Sequence, residues 1–137
     1  MKRDLAAYAG ALAVLVVMDA VWLGVVATDF YRDRIGHLMA AEPRLGVAAA
    51  FYLLYLVGVV IFAVRPALAA GSGARALGLG AGFGFFAYMT YDLTNLATLR
   101  DWPVMVAVVD MAWGTTLSAA SAWGGYRAAR AVGGRSP

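Results

Sequence analysis

Four apolar runs, Leu5–Ala27, Gly46–Val64, Ala74–Leu99 and Val104–Tyr126, take up most of this 137-residue chain and restrict what it can become. About 20 residues of helix cross a hydrocarbon core of about 30 Å, so each run has spanning length. Little chain remains for a soluble domain. With 63% hydrophobic and 14% charged residues, the sequence lies far from soluble domains, in which about a quarter of residues are charged. The expectation is a single integral membrane domain over residues 1–137, all-α, a four-helix transmembrane bundle of antiparallel up-down topology (spans about 5–27, 46–64, 74–99 and 104–126).

Basic residues orient it. With the N-terminus inside, Lys2, Arg3, Arg65, Arg75, Arg127, Arg130 and Arg135 are cytoplasmic, and Arg32, Arg34, Arg44 and Arg100 are outside. Seven against four predicts both termini cytoplasmic. The positive balance is thus an orientation signal and an attraction to anionic lipid heads, with no nucleic-acid motif behind it. Lys2 and Arg3 before an apolar stretch resemble a signal-peptide start, but the run is longer than an h-region and carries Asp19 and Trp22. It reads as a retained helix, with Ala27–Thr28 the weaker alternative as a cleavage site. The lack of cysteine excludes disulfides, thiolate metal sites and haem attachment through Cys pairs.

The connections are short. Tyr31, Ile35, Leu38 and Met39 recur at helical spacing, with Asp29, Arg32, Asp33 and His37 largely on other faces, which predicts a short outer amphipathic helix over about 29–40 between spans 1 and 2. Asp29 is placed to cap its start and Pro43 to mark its end. Pro66 with Gly71-Ser72-Gly73 forms the inner connection, Arg100-Asp101-Trp102-Pro103 an outer turn, and the chain from Ala128 a frayed tail. In the third run Gly78/Gly82 and Gly80/Gly84 are two small-xxx-small pairs suited to close helix packing.

Three carboxylates resist an ordinary packing explanation. Asp19, Asp92 and Asp110 sit inside three different apolar runs, where each costs about 2.5–3.5 kcal/mol at a helix centre. Counted from the outer helix ends, all three fall roughly 10–12 Å deep, which predicts one carboxylate layer. Tyr88, Tyr91 and Asn95 share a face with Asp92, and an Asp-x-x-Trp pattern adds Trp22 and Trp113. Because those two helices run oppositely, the expected arrangement sets one Trp outward and the other inward of the layer.

Close carboxylates in low dielectric cannot all ionise, so one or more should hold a proton, as a proton-coupled site requires. The Asp and Asn oxygens also suit Na⁺, Mg²⁺, Ca²⁺ or Mn²⁺. The only histidine, His37, lacks a spaced partner and reads as an interfacial or hydrogen-bonding residue, and Trp102, Trp123, Tyr8 and Tyr126 read as interfacial belt residues. No metal site or cofactor is implied by a specific motif, and no nucleophile motif marks an enzyme. A buried hydrogen-bond network that only fixes helix register is the bland alternative.

The strings Asp19-Ala-Val-Trp22-Leu-Gly24, Tyr88-Met-Thr-Tyr91-Asp92-Leu-Thr94-Asn95-Leu-Ala-Thr98-Leu and Asp110-Met-Ala-Trp113-Gly114 resemble the bacterial four-helix inner-membrane proteins of domain-of-unknown-function family 2177. The resemblance extends over nearly the whole chain and is most specific at Thr90–Asn95. It implies a multi-pass inner-membrane location and places Asp19, Asp92, Asn95 and Asp110 in the family's polar motifs, without implying an activity. Three functions follow as expectations. One is a proton- or cation-coupled small transporter or permease subunit, which with so few spans would form a homo-oligomer. Another is a membrane-embedded enzyme or accessory protein that binds a lipid, quinone or other amphipathic ligand, and the last is a structural bundle.

Overall fold

A computed structural model of the chain describes residues 1–134. Three helices are long and apolar enough to cross a membrane: α1 (Lys2–Val26), α3 (Leu45–Ala69) and α5 (Val104–Gly133). The short α2 (Thr28–Ile35) follows α1, and the 26-residue α4 (Gly73–Thr98) lies between α3 and α5. No strand occurs among the described residues. In lipid each backbone N–H and C=O must be satisfied within its own segment, and helices achieve this.

Small residues hold the bundle together. The centre is α5, against which α1 and α4 lie along their length. A Cβ on Gly10 would come within 2.6 Å of Ala128, and one on Gly80 within 2.6 Å of the Ser118 carbonyl oxygen. Backbones this close exchange dispersion contacts that bulkier side chains would prevent, which is the main attraction between helices in lipid. On α1 the buried positions Ala7, Ala11, Leu15 and Asp19 are four apart and form one stripe. The face that seats three apolar residues on α5 therefore carries Asp19 into the bundle as well.

Burial along α3 is uneven. Leu56, Val59, Val60, Ala63, Val64 and Ala67 are buried, whereas Leu45–Phe51 are exposed. The helix thus joins the bundle at the end where Asp4 accepts a 2.9 Å hydrogen bond from Arg65 Nε, and leaves a cleft at the other. At that second end lie α2, Met39 just past a 3₁₀ turn at Gly36–Leu38, and Trp102 of the turn between α4 and α5.

Several boundaries differ from expectation. The second helix does not stop at Val64: it widens into a π turn over Val60–Val64 and continues through Pro66 to Ala69. The wider turn sets a hydrogen bond from Arg65 N to the Val60 carbonyl, a register that accommodates a residue lacking an N–H. The connection is the turn at Gly71, whose φ of 63° lies in the left-handed region, followed by Ser72, whose hydroxyl accepts from Arg75 N. The chain expected to fray from Ala128 is helical as far as Gly133, with Ala129 buried, and the rest of that tail from Arg135 lies outside the described residues.

The amphipathic segment is α-helical over Thr28–Ile35 and continues as a 3₁₀ turn over Gly36–Leu38, and Asp29 does not cap it. A π turn at Trp22–Val26 leads almost directly into α2, and the Thr28 hydroxyl donates back to the Leu23 carbonyl at 2.6 Å. Asp29 instead pairs with Arg32 at 3.3 Å. Pro43 comes after the helical segment has ended and accepts from Leu45 N at the start of α3. Only one of the glycine pairs is a packing pair: Gly80 and Gly84 face Gly114, Ser118 and Ala122 of α5, while a Cβ on Gly78 or Gly82 meets nothing within 4 Å.

Candidate functional site

Beneath α2, at the end where α3 stands away, lies a cavity of about 480 Å³. Its polar lining includes Asp19, Tyr31, Arg32, Tyr52 and Asp110, and its aromatic walls Trp22, Tyr88, Tyr91, Trp102 and Trp113. A second, apolar cleft of about 340 Å³ is lined by Phe51, Ala87, Tyr88 and Tyr91. Phe51, Tyr88 and Tyr91 belong to both, so the polar chamber adjoins the gap between α3 and α4.

Asp19 is 6% exposed and accepts from two helices. Trp113 Nε1 donates to its Oδ1 at 3.0 Å, and the Tyr52 hydroxyl donates to its Oδ2. Asp110 accepts from the hydroxyl of Tyr31, which in turn accepts from Trp22 Nε1 at 3.1 Å. The interactions cross: the Trp of α5 serves the Asp of α1, and the Trp of α1 serves, through Tyr31, the Asp of α5. Burial, and after it the bond to Asp110, pushes the Tyr31 hydroxyl above the ordinary tyrosine range.

The two tryptophans do not bracket a layer. They stack on each other, ring centroids 4.4 Å apart and planes within 8°. Side chains tilt toward the N-terminus of their own helix. On helices of opposite direction that tilt moves Trp22 and Trp113 toward each other. Asp19 and Asp110 line one cavity but are held by different partners, Asp19 by Trp113 and Tyr52 and Asp110 by Tyr31, with Asp92 beside Asp110.

Asp92 is wholly buried but does not line the cavity. Asp110 and the Trp102 indole are its neighbours, yet neither Asp92 oxygen completes a hydrogen bond, and Trp102 Nε1 is buried without a partner too. Asn95 also lies off the lining, one turn beyond Tyr91. Tyr88 lies flat against Gly114, where a Cβ would run into its ring. His37 Nε2 stands 3.9 Å from Asp101, joining the 3₁₀ turn to the loop that carries Trp102. Trp102 itself faces the cavity instead of serving only as a belt residue.

Reading the sequence missed Tyr31 and Tyr52 as partners of the carboxylates. Tyr52 lies seven residues past Leu45, at the depth estimated for the aspartates, and this was the signal that could have marked it. Among the described residues no three acidic or histidine side chains gather into a group that could hold a metal ion. The arrangement instead offers carboxylate oxygens, tyrosine hydroxyls and aromatic faces to a molecule with a polar part and an apolar part.

A family model described as a predicted membrane protein (DUF2177) matches residues 4–127. No curated protein and no solved structure matches the chain.

Proposed function

The chain belongs to domain-of-unknown-function family 2177, and from that premise we propose that it is a membrane protein binding an amphipathic ligand that enters sideways from the bilayer. One observation carries the reading: the chamber holding Asp19 and Asp110 and the apolar cleft share Phe51, Tyr88 and Tyr91. A polar head in the first and an acyl or isoprenoid chain in the second would each meet matching surface.

In this proposal all four long helices span. The 26 residues of α4 cover about 39 Å at 1.5 Å per residue, and α4 lies along α5. Its lower apolarity comes from glycines that pack and from Asp92 and Asn95. Both termini lie on the cytoplasmic side of a bacterial inner membrane, and α2 covers the site from outside.

The test is native mass spectrometry of the detergent-extracted protein, wild type beside Ala87→Trp, which fills the apolar cleft. A copurifying lipid or quinone present in the wild type and lost in the variant is expected. Should no amphiphile copurify or bind saturably when added, the proposal fails.

A second reading, proton-coupled transport, draws on a different observation: Asp92 is fully buried beside Asp110 with neither oxygen hydrogen-bonded. Such a pair suits proton uptake and release. It requires a homo-oligomer, since four spans are few for two-sided access. A strictly monomeric protein whose flux in proteoliposomes is unchanged by Asp92→Asn would exclude it.

A further inference from the structure

The cavity is unbalanced in charge. Asp19 and Asp110 line its interior, Asp92 is buried behind Asp110, and among the described residues no arginine, lysine or histidine pairs with any of the three. The one basic side chain on the lining is Arg32 of α2, which is exposed and lies 3.3 Å from the more exposed Asp29.

Taking the amphipathic-ligand reading as given, we infer that the ligand is an amine-headed phospholipid, its ammonium between Asp19 and Asp110, its phosphate at Arg32 and its chains in the Phe51–Ala87 cleft. Carboxylates offer only acceptors, and an ammonium brings three donors and the counter-charge that the chain withholds. Trp113, Tyr88 and Tyr91 are on the same lining, and aromatic rings beside a bound ammonium add a cation–π attraction. An anionic head would meet two carboxylates of its own sign. A neutral hydroxyl head would leave both without a counter-charge.

Arg32 distinguishes a phospholipid from a bare amine. A single-chain amine would gain nothing from a guanidinium on the lining, whereas a phosphate beside the ammonium matches it and displaces only an exposed carboxylate. The order of charges, basic on α2 and acidic beneath it, matches the order of phosphate and ammonium in such a headgroup.

Tryptophan fluorescence of the full chain in dodecyl maltoside micelles reads the inference, because Trp22, Trp102 and Trp113 all line the cavity. Lysophosphatidylethanolamine should saturate the signal about tenfold more tightly than lysophosphatidylglycerol of the same chain. Asp19→Asn and Asp110→Asn should each erase most of that preference. Arg32→Gln should weaken lysophosphatidylethanolamine and leave dodecylammonium unchanged. If the two lysolipids bind the wild type equally, the ammonium assignment is overturned while the amphiphile reading survives; this comparison needs no variant to fold. If Arg32→Gln affects neither ligand, the phosphate assignment is overturned. If no head group binds saturably, the underlying reading itself has failed.

Discussion

Within α4 the two glycine pairs provide an internally controlled test of what holds the helices together. Gly→Ala in a helix interior gains up to about 1 kcal/mol from backbone entropy alone, and that gain is common to all four positions. Packing separates them. At Gly78 and Gly82 an added Cβ enters open space. At Gly80 it would stand 2.6 Å from a backbone oxygen of α5, against the 3.4 Å at which ordinary contact begins, so the helices must part by roughly 0.8 Å. At Gly84 the obstacles are the Gly114 carbonyl and Ser118, and backbone cannot rotate away. Overpacking of this kind costs about 1–3 kcal/mol per site, and since both sites press on Ser118 the two costs are not independent. Gly80→Ala/Gly84→Ala should therefore be about 2–4 kcal/mol less stable than Gly78→Ala/Gly82→Ala, the propensity term cancelling. Reversible unfolding in mixed micelles with increasing dodecyl sulfate, followed by far-UV circular dichroism, measures the difference. Equal stability of the two double variants would refute the assignment of the α4–α5 contact. A loss in the Gly78/Gly82 variant would refute the claim that its face is open.

Further expectations concern the cavity. Tyr31→Phe removes the donor to Asp110 and the acceptor for Trp22 and should cost about 1–3 kcal/mol, with faster amide exchange over residues 28–38 of the cap as its local signature. Because the folded-state value for Tyr31 is raised above the ordinary value near 10, the stability it contributes should be constant below about pH 10 and decline as pH rises beyond it, visible as convergence of wild-type and Tyr31→Phe melting curves. Trp22→Phe and Trp113→Phe should each abolish the same near-UV dichroism feature of the stacked pair and cost about 0.5–1.5 kcal/mol in stacking; two separate spectral losses would mean the rings do not couple. Asp92→Asn should leave stability unchanged or raise it, since neither oxygen has a donor to lose, and a drop exceeding about 1 kcal/mol in the same unfolding assay would show that Asp92 has a partner.

Asp19 shows how far sequence reading reaches and where it stops. A carboxylate in an apolar run stands out by cost, and its place four residues past Leu15 in a helix put it on the buried face. Tyr52 and Tyr31 carry no such flag, since tyrosine is at home in helices near an interface and its hydroxyl can find a partner on many faces. Asn95 was drawn into the site by sharing a helical stripe with Asp92, but Asp92 is buried beside Asp110 and both residues lie off the cavity lining. Trp102, read as an interfacial anchor from its loop, is turned inward by the connection between α4 and α5.

What the sequence determined by itself was the helical, membrane-dwelling character of the chain. Both are local properties: runs of apolar residues choose a solvent, and backbone hydrogen bonding in that solvent leaves the helix as the form for each run. Only the tertiary structure decided which of two equivalent glycine pairs faces α5, that Trp22 meets Trp113, that Asp19 and Asp110 take different tyrosine partners, and that α3 stands aside to open a cleft. Each depends on how one helix is rotated and tilted against another, and on side chains leaning toward opposite ends of antiparallel neighbours. A periodicity read along one strand of sequence contains neither.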